Sequence, residues 1–248
     1  MGIFANPLTD LLEYEDFSRD FLKGTDPVGM TGCIDSEKVH FMSTFLGEKK
    51  VQLVVTYNEQ RAREIEEDYK LFCSQVYVIP PRDLIFFSAD LQGNAIIAER
   101  MKAFAALYQN EAKVIITTMD ALMSAAVPFE QLMSHVIKLK EGDERDLEKL
   151  KHDLTVMGYE RVGRVEEPGQ FTVHGGIADV YPLTMEVPVR IELWGDEIDT
   201  IRCFEPQSQR SMDQIECVSV FPAAEVIADD TARRRAVGMI QNELESQL

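Results

Sequence analysis

Apolar and polar positions change their spacing several times along this chain of 248 residues. Between 51 and about 127, short apolar runs alternate with stretches whose apolar residues recur every three to four positions, the pattern of parallel strands joined by crossover helices. VQLVVTY at 51–57 predicts a buried strand, VYVIP at 76–80 a second that Pro80 and Pro81 end, and KVIITT at 113–118 a third. Between the first two, EQRAREIEEDYKLF puts Ala62, Ile65, Tyr69 and Phe72 on one helical face, and Asn58 stands where its N-cap belongs. NAIIAERMKAFAALYQN aligns Ile97, Met101, Phe104 and Leu107 in the same way.

Near 128 the pattern changes. DERDLEKLKHDLTVMG predicts a helix with Asp143 and Glu144 in an acidic first turn, Leu147, Leu150, Leu154 and Met157 on one face, and Gly158 at its end. From 159 onward, GQFTVHGGIADVYPL and VPVRIELWGDEIDTIRCF carry short β-rich runs punctuated by Gly-Gly, Pro and Gly-Asp, which predicts an antiparallel sheet. IECVSVFPA near 215 is a further apolar run, and a terminal helix follows in which Val237, Ile240, Leu244 and Leu248 line up. The chain therefore reads as α/β, with a small α+β unit at 128–214 inserted into a larger domain built from 1–127 and 215–248.

In P-V-R-I-E-L-W, strand alternation sends Val189, Ile191 and Leu193 to the core and sets Arg190, Glu192 and Trp194 on the other face. A fork-shaped cation, a carboxylate and a large aromatic on one strip have the composition of an interface hot spot. A solvated face whose tryptophan covers the sheet edge accounts for the same three residues.

Composition narrows the function classes. Hydrophobic residues make up 45% of the chain, enough for one large or two modest cores. A formal net charge of −18 repels phosphate backbones, and no basic stripe offsets it, which argues against tight DNA binding by these residues alone. Cys33, Cys73, Cys203 and Cys217 include no C-x-x-C pair, and His40, His135, His152 and His174 have no metal-ligand spacing, so no metal, cofactor or catalytic residue is expected. No apolar run is long enough to span a bilayer, and the opening MGIFANPLTDLLEYEDF turns acidic too soon for a signal peptide, so the expected location is cytoplasmic, away from membranes.

GMTGCIDS at 29–36 is a near miss to the phosphate-binding pattern G-x-x-x-x-G-K-[ST]. Gly29 and Ser36 match its ends and Gly32 keeps a turn, but Ile34 and Asp35 replace the Gly-Lys pair. Ile34 adds a β-branched side chain where amides would approach phosphate, and Asp35 exchanges attraction for repulsion. The segment reads as a degenerate P-loop, a turn leading into a helix that begins near Ser36.

PGQFTVHGGIADVYPL, PVRIELWGDEIDTIRCFEPQSQRS and VFPAAE, together with RDLIFFSADLQGNAIIAERM at 82–101, resemble the N-terminal UvrB-like module of the bacterial transcription-repair coupling factors. The resemblance implies a degenerate RecA-type, helicase-like parallel-sheet domain, 1–127 with 215–248, interrupted by a UvrA-binding domain at 128–214. It implies a non-catalytic module that recruits UvrA to stalled transcription complexes for nucleotide excision repair. The full-length family is an ATP-dependent DNA translocase, and RNA polymerase and DNA would be reached through its other domains. The tyrosine-rich hairpin with which UvrB grips DNA has no counterpart between VYVIP and the next helix.

The same resemblance implies that Arg190 and Trp194 belong to a UvrA-binding face, with Glu192 as in UvrB. His174 stands where the family often has a third contact, an arginine, and exchanges a permanent guanidinium charge for an imidazole. Two other readings stand beside this one: an active UvrB-type ATPase or helicase subunit, and an autoinhibitory module that docks on other domains of its own full-length chain.

Overall fold

A computed structural model describes residues 8, 14–24, 27–46, 51–82, 91–227 and 230–247. Residues 83–90 of the RDLIFFSAD stretch and Leu248 of the terminal stripe lie outside the described residues. The chain divides into two units, Met1–Leu84 with Ala106–Ser124, and Ile85–Ala105 with Ala125–Leu248.

Elements up to residue 124 run α1 (Tyr14–Lys23), α2 (Asp35–Ser43), β1 (Gln52–Thr56), α3 (Glu59–Lys70), β2 (Val76–Ile79), α4 (Leu91–Tyr108), β3 (Val114–Thr118) and α5 (Met119–Met123). In the first unit the strands form a parallel sheet of order β1-β3-β2, with Leu53 beside Ile115 and Val78 beside Ile116. β3 is central and buried along its whole length, which is why it reads as an uninterrupted apolar run. Asn58 caps α3 by accepting from the Arg61 backbone N–H at 2.8 Å. Ala62, Ile65 and Tyr69 then pack with Val39 of α2 against Val76, Val78, Val114 and Ile116. Tyr69 also donates its hydroxyl to Gln52 Oε1 at 3.0 Å. One expectation is corrected: among the described residues β1 is an edge strand, and it is only half-buried, with Val54 turned to this core while Leu53 is 59% exposed and Val55 exposed beside it.

The second unit contains the greater part of α4, then α6 (Phe129–Met133), β4 (Ile137–Lys140), α7 (Leu147–Val156), β5 (Glu160–Arg161), β6 (Gln170–His174), β7 (Ile177–Val180), β8 (Val189–Trp194), β9 (Glu197–Phe204), β10 (Ser211–Gln214), β11 (Cys217–Val220) and α8 (Asp230–Gln247). β5 to β10 make one sheet of order β10-β9-β8-β7-β6-β5, antiparallel apart from the β5–β6 pair. Its inner face contributes Phe171, Ala178, Val180, Val189, Ile191, Ile198 and Ile201 to a core completed by Leu150, Leu154 and Met157. Such a dry cluster is the main stabilising term of this unit.

Two boundaries differ from the sequence pattern. I-K-L-K is a strand whose alternation buries Ile137 and Leu139 and exposes both lysines. The helix after it starts later than expected: Asp146 is the N-cap, accepting from Glu148 N at 2.8 Å, whereas Asp143 sits in the preceding turn and accepts from Lys140 N. The sequence pattern also returns the chain to the first domain at 215. In the structure β11 pairs antiparallel with β4, Val218 beside Leu139, so Val218 and Val220 complete the second unit's core.

Gly158 ends α7 with φ at +91°, and a Cβ there would lie 2.6 Å from the Ala224 Cβ. The backbone N–H groups of Ala223 and Ala224 both donate to Met157 O, holding this crossing closed. Nearby, Arg100 of α4 forms a buried fork on Glu225, Nη2 to Oε2 at 3.2 Å, and its guanidinium lies 5.5 Å from the Phe104 ring centre. In α8, Val237, Ile240 and Leu244 are exposed. Among the described residues no helix is long and apolar enough to cross a membrane, and no three metal-ligating side chains converge.

Candidate partner-binding face

The outer face of the six-stranded sheet is arranged in cross-strand rows. Thr172, Asp179, Arg190 and Arg202 stand side by side on β6, β7, β8 and β9. The next row is His174, Ile177, Glu192 and Thr200, and beyond it Trp194 pairs with Glu197 at the β8–β9 turn. A register shift after Glu192 lets Leu193 pair with Ile198, leaving Asp199 as the extra residue, and such a bulge locally twists the strand pair.

Arg190 does not extend freely from this face. Its Nε donates to Asp179 Oδ1 at 2.8 Å and its Nη2 to Oδ2 at 2.7 Å, a two-point fork. The Asp179 carboxylate holds the guanidinium pKa above its ordinary value, against the opposing effect of burial. The guanidinium also lies 4.9 Å from the centre of the Phe204 ring. Phe204 belongs to a small second core with Val165 and Tyr181, so the arginine is fixed at the border between covered and open sheet. Two of its five N–H donors are used in the fork, and the remaining edge is available to a partner.

Trp194 is 86% exposed at the end of β8, where Gly195 turns the chain with φ at +67°. Ile177 is exposed in the neighbouring row, so an apolar stretch begins at the tryptophan and continues onto β7. The β6–β7 turn is tied to β8: Leu193 N donates to Gly176 O at 2.8 Å, and a Cβ at Gly176 would come within 2.9 Å of Leu193 O. His174 is exposed beside this turn, its Nε2 2.9 Å from Thr172 Oγ1. The structure thus sets Arg190, Glu192, Trp194 and His174 on one surface. Sequence reasoning missed Asp179, because its pairing with Arg190 is a cross-strand contact between turns that separate them by eleven positions.

Residues 29–36 form a turn into α2. Gly29 is exposed, Gly32 has φ at +86°, and Ile34 is the exposed N-cap position. The carboxylate of Glu37 accepts from Ile34 N at 3.1 Å, taking one amide that an anion at this helix end would need. Asp35, the first helical residue, pairs with Lys38 at 3.1 Å and with Arg61 at 3.6 Å. The Lys38 hydrogen bond, then Arg61, holds its carboxyl below the usual range. Ser36 is exposed beside it. Protein carboxylates therefore occupy the cations and one of the amides around this turn.

Residues 137–225 match the family model described as the UvrB interaction domain. Over 231 residues the chain is 33% identical to the transcription-repair-coupling factor of Staphylococcus haemolyticus, covering 92% of this chain and 19% of that protein. It is 31% identical over 246 residues to the transcription-repair-coupling factor of Staphylococcus epidermidis, 98% of this chain and 20% of the relative. The protein of that name from Bacillus subtilis is 30% identical over 249 residues, 98% of this chain and 21% of the relative. The chain spans about a fifth of the length of these relatives. The resemblance read from the sequence motifs thus holds along nearly the whole chain.

Proposed function

We propose that this chain, similar along nearly all of its length to the transcription-repair coupling factors, is a UvrB-like module that recruits UvrA to stalled transcription complexes for nucleotide excision repair. The observation that carries the reading is the outer face of β7 to β9, within the segment that matches the UvrB interaction domain: a forked, immobilised Arg190 beside Glu192 and an open Trp194. Aromatic and arginine anchors of this kind dominate the energetics of protein interfaces. Holding the arginine in place before binding lowers the ordering entropy that docking would otherwise cost.

The module is non-catalytic in this reading, and its first unit is a degenerate RecA-type domain without nucleotide binding. An ATP phosphate approaching residues 29–36 would meet the Asp35 and Glu37 carboxylates instead of a free lysine and open amides. The sheet of β5 to β10 is then the UvrA-binding domain, and any RNA polymerase or DNA contact belongs to other parts of the longer protein. The test is titration calorimetry of the chain with purified UvrA. Saturable binding that Trp194→Ala weakens is the expected result, and no binding by the wild-type chain refutes the proposal.

A further inference from the structure

Arg202 stands directly opposite Arg190 across the β8–β9 pair, so two guanidinium groups share one row of the outer face. Like charges in that relation repel. Asp179 relieves only one of them, because Arg190 takes both of its carboxylate oxygens. Arg202 Nε is buried with no hydrogen-bond acceptor, and its side chain joins no ion pair among the described residues. Glu192 lies on the diagonal, paired with Thr200 instead. Thr200 precedes Arg202 on the same face, and its Oγ1 is likewise buried without a partner. These are two polar groups that the described residues leave unsatisfied, adjacent to each other and next to the Arg190 fork.

Buried polar groups are nearly always paired, and an unpaired guanidinium beside another cation is the less stable arrangement. The half-buried Arg202 side chain has its Nε beneath the surface, while its terminal Nη groups escape full burial. Resting on the reading of this face as the UvrA contact, we propose that Arg202 is a specificity-determining residue of it, its Nη groups receiving a carboxylate side chain of UvrA. A carboxylate is the ligand that fits, because it neutralises the second cation and relieves the repulsion across the strand pair. On a chain of net charge −18, an acidic side chain is drawn to this spot by the two guanidinium groups against the general field, which fixes the register of docking.

The experiment is calorimetry with UvrA at low and high salt for the wild-type chain, Arg202→Gln, Arg202→Lys and Trp194→Ala, with thermal melts of each. Arg202→Gln is expected to weaken binding about 10-fold at a Tm no lower than that of the wild type, and to flatten its salt dependence, because the lost contact is between charges. Arg202→Lys keeps the charge without the fork and is expected to fall between the two. If Arg202→Gln binds as wild type does while Trp194→Ala is weakened, the β9 contact is refuted and the reading of the face stands. If both bind as wild type does, the reading of the face fails and this inference with it. Should Arg202→Gln not fold, Arg202→Lys decides: unchanged affinity at wild-type Tm overturns the proposal.

Discussion

Both carboxylate oxygens of Asp179 are engaged by a single guanidinium, that of Arg190, at 2.8 and 2.7 Å. The pair is well shielded, the two side chains being 8% and 21% exposed. Asp179→Ala would leave a half-buried cation opposite Arg202 with no forked partner and only the Glu192 carboxylate near it. We expect a loss of about 2 kcal/mol in urea unfolding, together with weaker UvrA binding through the misplaced arginine. An Asp179→Ala chain that keeps both its stability and its affinity would show that the fork positions nothing.

Trp194 separates binding from folding. Because its side chain is open to solvent, Trp194→Ala should change stability by no more than about 0.5 kcal/mol. Its affinity for UvrA should fall by about 2 kcal/mol or more, the range of a central interface anchor. Thermal melts and calorimetry on one preparation measure both, and a variant that loses stability without losing affinity contradicts the assignment.

Arg100 and Glu225 form the most deeply buried ion pair among the described residues, with side chains 4% and 7% exposed. Glu225→Leu removes both bonds of this buried fork, so it should cost about 3 kcal/mol. Arg100→Met with Glu225→Leu should recover much of that loss, since a well-packed apolar pair avoids the desolvation term. Urea denaturation of the two variants tests this. A double variant no better than the single one would mean that the site needs its charges for packing reasons.

At the 29–36 turn, calorimetry with ATP and magnesium is expected to give no heat of binding, and saturable binding would contradict the non-catalytic reading. The same turn has a pH signature. Lys38 and Arg61 lower the Asp35 carboxyl pKa, so the favourable contribution of that charge is present above the unfolded-state value and is lost as pH falls through the lower folded value. Lys38→Ala should move the Asp35 titration upward in carboxyl-detected NMR, and an unmoved titration would remove Lys38 as its cause.

Elements whose signal is local were legible in the sequence. Asn58, the Ala62-Ile65-Tyr69 stripe and Gly158 are marked by residue type and spacing within a few positions, whatever they later pack against, and all three stand where the pattern puts them. What the sequence withheld depends on partners distant along the chain. β1 reads as buried because its residues are apolar, but burial follows from what covers each face of the sheet, and Leu53 and Val55 are on a face of β1 that is exposed. Lys138 and Lys140 disguise a strand whose period of two was nevertheless visible. The pairing of Val218 with Leu139 spans most of the second unit, and no spacing rule announces it. For the same reason the strip 190–194 was legible from alternation, whereas Asp179 and Arg202, its neighbours on other strands, were not.

Trp194 is the only tryptophan in the chain. Its indole emission therefore arises from one place, and that place is already in water before anything docks. Denaturation should leave the emission maximum almost where it starts, so fluorescence would be a poor witness to unfolding of this protein. Covering the indole with a partner should shift its emission to the blue and shield it from iodide. The optical signal is thus wired to occupancy of the face and is nearly blind to the fold beneath it.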